Sequence, residues 1–131
     1  MNYNKISLKN AVIDIQFYRK CIKEAYMTNK GTYVVNFEVK IKEVLEKYKF
    51  ERKFVQPSSW SHSHIFAISE KYVVCSSYRD SRVHIRLIPR DDYEGDFDHT
   101  KSKDLFVKLI ESVVANTKCK IIDIKENIWN I

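Results

Sequence analysis

The fold is decided by residues 62–89, which read HSHIFAISEKYVVCSSYRDSRVHIRLIP. Three runs rich in β-branched and aromatic residues are separated here by Glu70-Lys71 and by Arg79-Asp80-Ser81. Both separators are short enough to be hairpin loops, so the pattern predicts antiparallel strands at about 62–69, 71–78 and 82–88. Pro89 ends the third strand because it has no N–H to donate to a neighbouring strand.

The N-terminal residues carry apolar side chains at helical spacing, namely Leu8, Val12, Ile15, Tyr18, Ile22 and Tyr26. This spacing predicts a helix from about Ser7 to Met27, with Ser7 as its N-cap. The predicted helix ends before Gly31, since glycine readily adopts the left-handed backbone found at helix C-termini.

Residues 33–49 fit two structures. A helical stripe runs through them, but residues 32–41 also alternate like a strand, with β-branched residues that favour one. The pairs Glu38/Lys42 and Glu43/Lys47 have the spacing and order that stabilise a helix. A helix is therefore predicted from Glu38 onward, and residues 32–41 remain open between helix and strand.

The residues after Pro89 predict one more helix and one more strand. Ser102 is placed to cap a helix that runs to about Asn116, and Cys119–Ile124 reads as a final strand. The predicted fold is a single α+β domain over residues 1–131, with an antiparallel meander of three to four strands. Its helices pack on one face of the sheet, in the approximate order α-α-β-β-β-α-β.

Composition excludes several classes of protein. The chain has 131 residues, 44% of them hydrophobic and 13% aromatic, which supports a packed core and rules out disorder. No apolar run is long enough to span a membrane, and the N-terminus has no signal-peptide pattern. The three cysteines show no metal-binding or redox spacing, so we expect reduced thiols, a cytoplasmic protein, no metal and no cofactor.

Positive charge is concentrated in the first half of the sequence. Residues 1–60 hold 12 basic and 6 acidic side chains, whereas residues 61–131 hold 11 of each. A one-sided positive field attracts nucleic acid, nucleotides or acidic proteins. A lysine-rich solvated surface with no partner is the alternative interpretation.

Four of the six arginines lie within residues 79–90. A three-residue loop at 79–81 would give the sheet one uniform apolar face, because a shift of one residue moves every side chain to the other face. The open face would then carry Arg82, His84 and Arg86 together with Tyr72, Ser76 and Tyr78. Guanidinium groups fork onto phosphates and tyrosine rings stack on bases, so this face suits RNA, single strands or a nucleotide. Alternatively, its arginines pair with the acidic loop at 91–98.

Residues 37–116 follow the order helix, three strands, helix, which is also the order of domains that bind double-stranded RNA. In those domains lysines at the start of the last helix reach the phosphates. Lys101 and Lys103 stand at corresponding positions. Many unrelated domains share this order, so it supplies an analogy and no family.

Three functional hypotheses follow. The first is a nucleic-acid- or nucleotide-binding module that uses Arg82, Arg86, Tyr78, Tyr72, Arg79, Lys101 and Lys103. The second is an inhibitor or accessory protein of the kind that phages and plasmids encode, which binds a host protein. The third is a metal-independent phosphodiesterase in which His64 and His84 share proton transfer. An unpaired edge strand would also allow a homodimer to form by sheet extension.

Overall fold

The computed structural model of this chain describes residues 11–27, 32–48 and 63–128. These residues form a five-stranded antiparallel sheet with strand order β2-β3-β4-β1-β5, together with three α-helices. The strands are β1 (Ala11–Tyr18), β2 (Ser63–Ile68), β3 (Tyr72–Arg79), β4 (Arg82–Pro89) and β5 (Asp123–Ile128), and the helices are α1 (Arg19–Tyr26), α2 (Tyr33–Leu45) and α3 (His99–Val114). The predicted α+β class and the β2-β3-β4 meander are confirmed, with five strands in place of three to four.

The predicted helix over residues 7–27 is wrong for residues 11–18, which form β1. This strand lies between β4 and β5, where Ile15 pairs with Ile85 on one side and with Ile124 on the other. All of residues 11–17 are buried. Pairing on both sides therefore outweighs the helical spacing, and a helix begins only at Arg19.

The open question at residues 32–41 is resolved as helix, because α2 begins at Tyr33. The Thr32 side chain accepts a hydrogen bond from the backbone N–H of Val35 and caps the helix. Phe37 and Ile41 are buried and point into the core one turn apart.

The last helix starts earlier than predicted. The N-cap of α3 is Asp98, whose Oδ1 accepts a hydrogen bond at 3.1 Å from the backbone N–H of Lys101, and Ser102 lies inside the helix. An aspartate is an even better residue for this position, since its charge also complements the helix dipole. The final strand lies at Asp123–Ile128, four residues beyond the prediction.

The three helices cover one face of the sheet, as predicted, and we call it the helix face. Its core joins the sheet to all three helices, with Ile13, Ile15, Phe17, Val83, Ile85 and Leu87 from the sheet against Ile22, Phe37, Ile41, Phe106 and Ile110. The Phe17 and Phe37 rings meet edge to face, with 5.2 Å between their centroids. No helix in the described ranges has the length and apolar character needed to cross a bilayer.

The predicted register between β3 and β4 is wrong by one residue. Arg79 pairs with Arg82, so the loop contains two residues, Asp80 and Ser81, instead of three. Asp80 has a φ of 58°, a left-handed conformation that aspartate tolerates better than most residues. The prediction assumed one apolar face, but a second buried apolar cluster covers part of the opposite face, with Ile65, Ile68, Val73, Cys75 and Ile88.

Candidate functional site

The arginine-bearing strand faces a carboxylate that the sequence analysis placed in a helix. Asp14 of β1 lies opposite Arg86 of β4, and the Nε of Arg86 donates to Asp14 Oδ1 at 3.1 Å. The Nδ1 of His84 lies 3.2 Å from both Asp14 oxygens. Gln16 joins the two ends, since its Nε2 donates to Asp14 Oδ2 at 2.8 Å and its Oε1 accepts from Arg82 Nη1 at 2.7 Å. We call these five residues the Asp14 network.

Most of the Asp14 network is shielded from water. Asp14 is 1% exposed, and the side chains of His84 and Arg86 are 13% and 16% exposed. Arg82 is 40% exposed, and its Nη1 lies 3.9 Å from Asp123 Oδ2. His84 and Arg86 therefore do not lie on an open face as predicted and keep only a small accessible area, while Arg82 lies at the accessible end of the network.

The environment of Asp14 keeps its carboxylate ionised. Burial alone would raise the pKa of Asp14, but the hydrogen bond from His84, the charge of Arg86 and the Gln16 amide together hold that pKa below its ordinary value. At neutral pH the charged Asp14 can therefore fix the orientation of the His84 ring and the Arg86 guanidinium.

We expect this ionisation to make the protein sensitive to acid. A folded-state pKa below the unfolded value stabilises the fold above the unfolded pKa of about 4, and the stabilisation disappears as pH falls through the folded pKa. The free energy of unfolding, measured by urea titration with circular dichroism between pH 7 and pH 3, should therefore drop below about pH 4. Asp14→Asn should flatten that drop. If the free energy of unfolding of this variant depends on pH as it does in the wild type, the acid sensitivity does not come from Asp14.

A second polar feature lies where β1 passes into α1. The backbone N–H of Arg19 donates to the carbonyl of Ser81 at 2.7 Å, which ties the first residue of α1 to the β3–β4 turn. The Nε of Arg19 donates to the hydroxyl of Tyr33. Its guanidinium carbon lies 5.8 Å from the centroid of the Tyr33 ring and 5.3 Å from that of Tyr78, so Arg19 stands between two aromatic rings.

A groove of about 830 Å³ surrounds Arg19, and we call it the Arg19 groove. Its lining includes Tyr18, Arg19, Lys20, Lys23, Tyr33 and Ser81. The lining contains three cationic side chains and a single carboxylate, that of Glu24. Tyr18 is 50% exposed, and Tyr78 beside the groove is 39% exposed. The groove therefore combines net positive charge with accessible aromatic rings.

The predicted site residues are distributed over three places. Arg82 and Arg86 belong to the Asp14 network, while Tyr78 and Arg79 flank the β3–β4 turn beside the Arg19 groove. Tyr72 does not share a face with Arg86, because Tyr72 pairs with Pro89 and belongs to the helix-face core.

Tyr72 lines a separate apolar cavity of about 470 Å³ between α2, α3 and the β2–β3 turn. The walls of this cavity include Leu45, Leu105 and Phe106. Burial raises the pKa of Tyr72, and its hydroxyl lies 3.0 Å from His99 Nδ1. Tyr72 is therefore buried in the core and does not lie beside Arg82 and Arg86.

The lysines at the start of α3 differ in their surroundings. Lys101 is exposed, whereas Lys103 Nζ lies 3.1 Å from Glu126 Oε1 of β5 and its side chain is 20% exposed.

The alternative prediction, that the arginines pair with the acidic loop at 91–98, holds for Arg90. Arg90 donates to Asp92 at 2.8 and 2.6 Å and to the Ser69 carbonyl at 2.8 Å.

The two histidines proposed to share proton transfer occupy different register positions in the sheet. His64 pairs with Ser76 and His84 pairs with Ser77, which are consecutive residues on β3 and so belong to opposite faces.

Cys75 lies opposite Arg86, but burial raises the pKa of its thiol to about 12, so the thiol is not a nucleophile at neutral pH. Within residues 11–27, 32–48 and 63–128, no three histidine, cysteine or acidic side chains are arranged to hold a metal ion.

Sequence reasoning missed Asp14, Gln16 and the Arg19 groove. The signal for the first two was present, since apolar Ile13, Ile15 and Phe17 alternate with them. Comparisons with protein-family models, curated protein sequences and solved structures found no match. Function is therefore inferred from the chemistry of these residues.

Proposed function

We propose that this protein binds single-stranded nucleic acid in the Arg19 groove. The observation that carries the proposal is the grouping of Arg19, Lys20 and Lys23 with the rings of Tyr18 and Tyr33 around one accessible groove. Proteins that bind single strands without strong sequence preference combine a positive groove with aromatic rings on which bases stack. The groove offers both in one place.

Two further features support this assignment. Arg79 and Arg82 flank the β3–β4 turn, which forms part of the groove through Ser81, and Arg79 is exposed. The first turn of α1 contains no acidic residue, so nothing there offsets the positive end of the helix dipole. Phosphates approaching the groove therefore meet cations from α1 and from the β3–β4 hairpin, together with the N-terminal end of α1.

Removing the cations of the groove should weaken binding. The test compares Arg19→Ala/Lys20→Ala/Lys23→Ala with Lys40→Ala/Lys108→Ala/Lys118→Ala, which removes the same charge from exposed positions outside the groove lining. Fluorescence anisotropy with a fluorescein-labelled 2′-O-methyl oligonucleotide of 20 residues measures the dissociation constant. We expect the groove variant to lose roughly tenfold or more in affinity and the control to lose far less.

The outcomes separate the hypotheses. Equal losses in the two variants would show that net charge alone attracts the strand, and the groove assignment would be wrong. Absence of binding by the wild-type protein at 50 mM salt, together with copurification of a stoichiometric host protein, would replace nucleic acid by a protein partner.

A further inference from the structure

His84 is arranged as a proton acceptor whose ring is held in place by Asp14. Nδ1 of His84 lies 3.2 Å from both oxygens of a carboxylate that is 1% exposed. A carboxylate only accepts hydrogen bonds, so the proton of a neutral imidazole resides on Nδ1 and Nε2 carries the free lone pair. Among the described residues, no hydrogen bond to Nε2 is formed.

Cations stand on both sides of this imidazole. Arg82 and Arg86 are two residues before and after His84 on β4, so all three side chains share one face of the strand. The guanidiniums are held by Gln16 and Asp14 and do not need to reorganise when charge develops nearby. Fixed cations beside a base suit a phosphate ester, whose oxygens gain negative charge in the transition state.

The register connects this base to the Arg19 groove. Tyr18 lines the groove and pairs with Arg82, and Gln16, two residues before Tyr18 on β1, pairs with His84. Two residues along a strand span about 7 Å, so His84 lies one such step beyond the groove wall. A strand that leaves the groove over Tyr18 therefore passes Arg82 before it reaches His84.

We propose that the protein cleaves single-stranded RNA, with His84 as the general base and Asp14 as its positioning residue; this rests on the proposed function. Nε2 of His84 takes the proton of a 2′-hydroxyl, and the 2′ oxygen forms a bond to the adjacent phosphorus. The bond between phosphorus and the 5′ oxygen breaks, and that oxygen takes a proton from water. The imidazolium returns its proton to the hydroxide left behind. The products are a 2′,3′-cyclic phosphate and a 5′-hydroxyl strand, with no oxidant or cofactor consumed.

The test uses the full chain and labelled deoxyribonucleotide strands that contain one central ribonucleotide, one strand for each base. We expect the wild-type protein to cut after the ribonucleotide and to leave an all-deoxy strand intact, because the latter lacks the nucleophile. His84→Asn keeps a hydrogen-bond donor for Asp14 but removes the base, and should lower the rate at least about 100-fold. His99→Ala removes another histidine that contacts a neighbour through Nδ1 and should leave the rate unchanged.

Binding and pH dependence separate a catalytic role from a structural one. His84→Asn should bind the 2′-O-methyl strand with an unchanged dissociation constant. Asp14→Asn should move the ascending limb of the pH–rate profile, because that limb reports the ionisation of the base. A wild-type protein that binds the 2′-O-methyl strand but cuts none of the ribonucleotide strands, or a His84→Asn variant with wild-type rate, would overturn the cleavage proposal alone. Failure to bind the 2′-O-methyl strand would overturn the proposed function itself.

Discussion

Asp14→Ala should destabilise the protein by about 3–5 kcal/mol, the usual cost of removing one partner from a buried ion pair. Asp14 is 1% exposed and its carboxylate accepts hydrogen bonds from Gln16 and Arg86 while facing His84. Its loss removes this acceptor from three cationic or polar side chains in a site that is largely shielded from water. Urea unfolding at pH 7, followed by circular dichroism, measures the change in the free energy of unfolding.

The matched control is Asp123→Ala. Asp123 also lies beside an arginine of β4, but its side chain is 39% exposed and its Oδ2 is 3.9 Å from Arg82 Nη1. An ion pair of that exposure contributes below about 1 kcal/mol. If the two variants differ by less than about 1 kcal/mol, the Asp14 network does not stabilise the sheet as described.

Salt should weaken nucleic-acid binding steeply. If the three cations of the Arg19 groove each neutralise one phosphate of a single strand, the logarithm of the association constant falls with a slope of about −2 against the logarithm of salt concentration. Affinity should then drop roughly 15-fold between 50 and 200 mM salt. Anisotropy titrations at four salt concentrations measure the slope, and a slope near zero would contradict phosphate binding.

Stacking should respond differently from charge. Tyr18→Leu should weaken binding about fivefold or more while leaving the salt slope unchanged, because the loss of a stacked base releases no counterions. Tyr48→Leu is the matched control, since Tyr48 is 44% exposed but does not line the groove. Equal effects of the two substitutions would show that the ring of Tyr18 does not contact a base.

The β2-β3-β4 meander was predictable because its evidence is local. Alternating apolar residues and two short separators lie within 28 consecutive residues of sequence. β1 was not predictable in the same way, because Val12 and Ile15 fit a helical stripe while Ile13 and Phe17 fit a strand. What decides between them is pairing with Ile85 and Ile124, which lie far away in the sequence.

The site was predictable only in part for the same reason. Arginines and a histidine on one face of β4 follow from alternation alone, and the structure has them there. The carboxylate that contacts His84 and Arg86 is 72 residues away from Arg86, on a strand that the sequence analysis assigned to a helix. The Arg19 groove depends on contacts between α1, α2 and the β3–β4 turn, and no pattern within one segment indicates such a meeting.

The position of β1 between β4 and β5 also bears on how the sheet is assembled during synthesis. The ribosome releases β1 before both of its neighbours, because β4 begins at Arg82 and β5 ends at Ile128. At about 5–20 residues per second, β1 waits roughly 5–20 s for its second neighbour. An unpaired apolar segment invites association with other chains, and a charge within it acts as a gatekeeper. Asp14 is the only charged residue of β1, and we expect it to limit such association before it meets an arginine.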